Sequence, residues 1–192
     1  MSDTPLRIEG GVAAVLAGVL LPLGHALNLV GGDPTAGTPL GRGAVLLAHA
    51  LLVFAFVGIY AVQADRAPDV AGRLGMVAGT LGTVFVTAVV YVELAGSAGV
   101  DVTPVFATAA TGPVSAAGPL LFVLGLVLVG WTVVRGPPLP RWSGGLLVVG
   151  TLVFAAASAV PAVAPGLTVI GAVLTGAGFV WAGTALLGVG GV

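Results

Sequence analysis

The chain alternates long apolar runs with short polar breaks, and the runs have the length of a membrane crossing. A helix rising 1.5 Å per residue needs about 20 apolar residues to cross roughly 30 Å of hydrocarbon. Six stretches qualify: 11–30, 43–62, 74–95, 117–134, 144–164 and 167–187. The last two are divided by Pro165-Gly166, a turn signal. The pattern predicts an all-α, polytopic membrane helical bundle with six transmembrane helices, forming a single domain over 1–192. The first run exceeds the roughly 7–15 apolar residues of a signal-peptide core. Its one basic residue, Arg7, is flanked by Asp3 and Glu9, so it reads as a retained span.

Composition agrees and removes several chemistries. Only 7% of residues are charged and 58% are hydrophobic, against about 25% charged in a soluble domain. A net charge of -1 leaves no basic footprint for nucleic acid. Cysteine is absent, which excludes disulfides, thiolate catalysis and cysteine-held metal sites. All six basic residues are arginine. Without lysine the chain has neither a Walker A phosphate loop nor a Schiff base.

The arginines orient the chain. Arg7 precedes the first run, Arg66 and Arg73 lie between the second and third, and Arg135 and Arg141 lie between the fourth and fifth. Arg42 alone falls on the opposite side. Five against one follows the positive-inside rule with both termini cytoplasmic, in a multi-pass protein of the cell membrane. Tyr60, Trp131 and Trp142 then sit near the inner interface as aromatic anchors. The longest break, 96–116, reads as an ordinary external loop rich in Ala, Gly, Thr and Pro.

The odd runs open alike, with Arg7 before Gly10-Gly11, Arg73 before Gly75, and Arg141 before Gly144-Gly145. The even runs close alike, around Gly58, Gly130 and Gly183. This suggests three helical hairpins repeated in parallel about an axis along the membrane normal. The 32 glycines let helix backbones approach closely in lipid. Gly75 and Gly79 form a GxxxG pair within a small-residue run from Gly72 to Gly82. Beyond the bilayer itself, such faces fit a homo-oligomer or other membrane subunits.

The segment from Gly130 through Arg135 to Leu139-Pro140-Arg141-Trp142, with Gly58-Ile59-Tyr60 and Gly72-Arg73-Leu74-Gly75, resembles a family of small prokaryotic six-helix integral membrane proteins of unknown function. These motifs mark helix ends and cover about half the chain. The resemblance implies the six-helix architecture and brings no activity.

Three ionisable residues lie inside the apolar runs: His25, His49 and Glu93. Such groups are costly in lipid and mark functional candidates. Counted from the ends of their runs they lie about 7–8, 9 and 3 Å deep on the outer side, at one level. Asn28 shares a helical face with His25. Three chemistries follow. His25 and His49 can ligate haem iron; with Glu93 they can hold a divalent metal bearing a reactive water; or His25, Asn28, His49 and Glu93 form a binding site or proton relay. Plainer roles stand beside these: a histidine hydrogen-bonded to a nearby backbone, and a glutamate in headgroup water. No catalytic set emerges. The leading expectation is a non-enzymatic integral membrane protein, a small-solute carrier or accessory subunit, with no cofactor. A haem- or metal-binding redox or hydrolase protein is the alternative.

Overall fold

A computed structural model describes residues 5–31, 37–65, 69–159 and 164–188. Among them are seven helices and no strand: α1 Pro5–Val30, α2 Pro39–Ala64, α3 Val70–Ser97, α4 Thr103–Phe106, α5 Gly112–Arg135, α6 Arg141–Ala159 and α7 Ala164–Leu186. Five of these, α1, α2, α3, α5 and α7, are long and apolar enough to cross a bilayer. The chain is an all-helical membrane protein.

Apolar residues face outward as well as inward. On α1 the exposed side carries Val12, Leu16, Val19 and Leu23; on α3 it carries Leu74, Val77, Leu81 and Val84. Both sets recur at three- and four-residue spacing, one stripe per helix. In water such stripes would be a liability; against acyl chains they are the correct surface. The opposite side of α1 buries Gly10, Ala13, Ala14, Ala17 and Gly18. Lipid tails are as apolar as leucine, so close backbone packing at small residues takes over as the force between helices.

The long helices close a ring in chain order. α1 packs on α2, α2 on α3, α3 on α5, α5 on α6, α6 on α7, and α7 returns to α1. Short breaks make neighbours antiparallel. Arg7 Nε donates to Leu186 O at 2.5 Å, tying the start of α1 to the end of α7. Glycines set the crossings. A Cβ built on Gly10 would lie 2.6 Å from the Gly58 Cα, one on Gly183 would lie 2.7 Å from the Gly11 carbonyl, and one on Gly130 would lie 2.8 Å from the Gly144 carbonyl.

Element boundaries depart from the hydropathy pattern at informative places. α1 and α2 begin earlier than their apolar runs. Pro39 takes the first turn of α2, where its missing N–H costs nothing, and Thr38 Oγ1 caps it by accepting from Gly41 N at 3.0 Å. Pro165-Gly166 is not a turn: α7 starts at Ala164, with Pro165 again in a first turn. Residues 160–163, before it, lie outside the described residues. The external segment is more than a plain loop. It contains α4, Thr103 N donates to Asp101 Oδ1 at 3.0 Å, and Thr108 Oγ1 meets Thr111 Oγ1 at 2.7 Å.

Gly10→Ala should lower the detergent melting temperature, at a cost of about 1–3 kcal/mol for an overpacked contact. Gly145→Ala, whose Cβ would have nothing within 4 Å, should be neutral or stabilise by up to about 1 kcal/mol through helix propensity. Equal melting temperatures for the two variants would contradict glycine-set crossings.

Candidate functional site

The sequence-picked polar residues do not sit at one level. Gly24 packs against Gly41 and Val45, and Leu21 against Ala48. His25 therefore lies about one and a half helical turns nearer the Arg42 end of the bundle than His49. The extra residues at the start of α2 account for it, since they push His49 ten residues into the helix, about 15 Å at 1.5 Å per residue.

The outermost layer is structural. Asn28 is buried, and its Oδ1 accepts from Thr38 N at 3.0 Å. That bond fixes the connection from α1 into the α2 cap. Gly37, at φ 70, and Gly41 lie against the same amide, where a Cβ would collide with it. Glu93 meets neither histidine. Its Oε2 accepts from Arg42 Nη1 at 2.5 Å, pinning the start of α2 to the end of α3, with the two side chains 32% and 14% exposed. Sequence reading set Arg42 aside as the exception to the charge rule. The signal was available: one arginine on the outer side and one acid within the runs at a neighbouring helix end.

This pair forms part of a pocket of about 390 Å³ at its end of the bundle that also includes Asp101, Thr103 and Phe106. α4 and its flanking residues build one wall, so the segment between α3 and α5 covers this end of the bundle.

Further in, His49 is buried on α2. Its Nδ1 lies 2.9 Å from Val45 O. A carbonyl only accepts, so Nδ1 carries the proton and Nε2 is left as an acceptor. The ring packs on Phe122 at 5.3 Å. His25 is half-buried, edge-on to Phe154 at 5.1 Å, and its Nε2 has no hydrogen-bond partner. Phe122 and Phe154 both line a small central cavity with Leu21, His49, Thr151 and Thr175. At about 20 Å³ it has room for one water molecule.

The threonines are the residues that sequence reasoning missed. Threonine in a helix normally returns its hydroxyl to a carbonyl one turn back. Thr87, Thr132 and Thr184 do so, at 2.7, 2.8 and 2.9 Å. Thr83, Thr151 and Thr175 are buried without any partner for the hydroxyl. An unpaired hydroxyl of this kind costs about 1–3 kcal/mol. Thr151 and Thr175 line the same small cavity as His49.

Below this level the interior is mainly aromatic and aliphatic. Phe56 packs edge-on to Phe122 at 6.3 Å and to Phe179 at 6.2 Å. Leu52, Ile59, Leu126, Val133, Leu147 and Leu186 complete the main core. The core of the outer half is smaller, built on Leu21, Ala48 and Ala172 with Leu20 and Phe154 against it.

The three-ligand metal chemistry lacks its geometry. Among the described residues no three His, Cys, Asp or Glu side chains are placed to hold a metal ion. His25, His49 and Glu93 are therefore not assembled as a ligand set.

No protein-family profile, curated protein or solved structure matches the chain.

Asn28→Ala should cost about 1–3 kcal/mol in detergent unfolding, because Thr38 N loses its acceptor in a half-buried place. The loss should appear first as faster backbone hydrogen exchange at the start of α2, as that cap loosens. Unchanged exchange there would remove Asn28 from this role.

Proposed function

We propose that this chain is a six-span carrier of a small polar solute in the cell membrane, with both termini cytoplasmic and its polar site on the outer side. The observation behind this reading is the asymmetry of the ring interior. Unpaired polar groups around His49, Thr151 and Thr175 lie beneath an outer pocket, and an aromatic and aliphatic seal around Phe56 lies below them. A pathway entered from outside and closed within has this arrangement, and intramembrane polar groups in a bundle interior mark such pathways.

Several further points support the architecture. α6 has 19 residues, about 28 Å at 1.5 Å per residue, enough for a sixth span. Arg7, Arg73, Arg135 and Arg141 all belong to one end of the bundle by the antiparallel order of the helices, and Arg42 to the other. The three-hairpin repeat stays a reading of the sequence: Gly58, Gly130 and Gly183 each meet a glycine of a neighbouring helix, in non-equivalent places. The partner of Gly58 is within its own hairpin; those of Gly130 and Gly183 are across hairpins. The resemblance to small six-helix prokaryotic membrane proteins fits the same plan.

In this mechanism His49 accepts a hydrogen bond at Nε2 from the solute or from a water that travels with it. Thr151 and Thr175 supply hydroxyls that donate or accept. Arg42 and Glu93 act as a neutral pair at the entrance, and the Phe56 seal opens only when the ring repacks.

The test is flux into liposomes containing the purified protein. Stopped-flow light scattering reads entry of glycerol, urea and glycine, and an internal pH dye reads protons. At least one should enter faster than through protein-free vesicles. His49→Phe fills the cavity and should cut that rate by about tenfold or more, the effect of about 1.4 kcal/mol in one polar contact. Thr175→Val, nearly isosteric, should also slow it while leaving the melting temperature unchanged or higher. No flux of any of the four above protein-free vesicles would reject carriage and leave the role of an accessory subunit.

A further inference from the structure

The opposite end of the bundle from Arg42 and Glu93 holds a second polar pocket that the sequence did not single out. It measures about 340 Å³, within the range of small-molecule sites. It lies among the last turn of α2, the first turn of α3 and the last turn of α5, lined by Tyr60, Gln63, Asp69, Gly72, Thr132 and Arg135.

Its chemistry is unusual for a helix end. Gln63 is 8% exposed, and its Nε2 has no hydrogen-bond partner. A buried primary amide left this way costs about 1–3 kcal/mol, so a group that accepts from it recovers that cost. Arg135 and Asp69 carry opposite charge on two walls of the same pocket. Among the described residues no ion pair joins them. Arg135 instead lies 6.0 Å from the Trp131 ring centre. Asp69 uses Oδ1 to cap α3, accepting from Ala71 N at 3.1 Å, which leaves its second oxygen for another donor. Gly72 completes the cradle. A Cβ there would meet Thr132 at 3.6 Å and Tyr60 at 3.8 Å, ordinary contacts, so a longer side chain enters the pocket without straining the helix.

We propose that this pocket binds a small zwitterion, with its anionic group held by Arg135 and the Gln63 amide and its ammonium group by Asp69. Two sources share that chemistry: a free amino acid, and the ethanolamine-phosphate headgroup of a lipid at the membrane face. The inference does not rest on carriage. Binding at equilibrium in micelles needs no flux, and flux through the His49 region needs no ligand here.

The experiment is calorimetric titration of the full chain in lipid-free detergent with glycine, serine, glycerophosphoethanolamine, acetate and ethylamine. At least one of the three zwitterions should bind, and acetate and ethylamine should bind at least about tenfold more weakly, the loss of one charged contact. Binding of glycerophosphoethanolamine alone assigns the pocket to lipid headgroups; binding of glycine or serine assigns it to amino acids. Gly72→Leu should abolish binding with no fall in melting temperature. Gln63→Leu should weaken it by about tenfold and raise stability, because the unpaired amide is gone. Binding of none of the zwitterions, binding of acetate or ethylamine as tight as theirs, or full binding by Gly72→Leu would each overturn the proposal.

Discussion

Contact between backbones at glycine is what the rest of this structure depends on. In lipid the helices gain nothing by hiding leucines from the solvent, so they hold together through close approach. Gly10 against Gly58, Gly11 against Gly183 and Gly130 against Gly144 bring three of the crossings to that distance. Each involves two helices on which leucines and valines are turned outward. The ring closes because both faces of every helix are used, one by a neighbour's backbone and the other by acyl chains.

Closing a ring of six helices leaves an interior to be filled, and it is filled unevenly. Around Phe56 large side chains meet: Phe122, Phe179, Leu52, Ile59 and Leu126. Nearer the outer end the fillers are Ala48, Ala172, threonines and two imidazoles. Small and polar residues cannot reproduce the contacts of an aromatic core, so a cavity survives beside His49. A fold under pressure only for stability would place valine at 151 and 175. Valine has nearly the volume of threonine and leaves no hydroxyl unpaired.

The hydropathy pattern disclosed where the long helices lie, because a bilayer imposes a minimum length on every span, but α1, α2, α3 and α5 each run beyond their apolar stretch. It misplaced the ends, because caps are decided by single residues: Thr38 with Pro39, and Pro165 inside α7 rather than before it. It found His25, Asn28, His49 and Glu93, since each is an exception within apolar sequence. It could not give their partners. Glu93 pairs with an arginine 51 residues away, and Asn28 serves a backbone N–H. These contacts depend on which face each helix turns inward, and a helix with glycines and small residues on several sides leaves that face unspecified. Thr151 and Thr175 escaped for a related reason. Threonine is ordinary in a membrane helix when its hydroxyl bonds back along the helix, and only the structure distinguishes those that do from those that do not.

On the carrier reading, the place where the ring can open follows from how its interfaces are made. The α1–α7 and α5–α6 crossings place backbone on backbone, and separating them forfeits packing along whole helices. The α2–α3 interface differs. There Gly79 is covered by the ring of Phe56, so the contact is between a side chain and a backbone. Turning one phenyl ring changes it without moving a helix axis, and rotamer exchange is far faster than helix displacement. The same two helices are clamped at one end by Arg42 and Glu93 and border the second pocket at the other through Gln63 and Gly72. The Phe56 ring thus stands between two polar ends, about 10 Å from His49 and from Gln63 along α2 at 1.5 Å per residue. On the carrier reading, that position makes the Phe56 ring the side chain whose turning would loosen the α2–α3 interface between them.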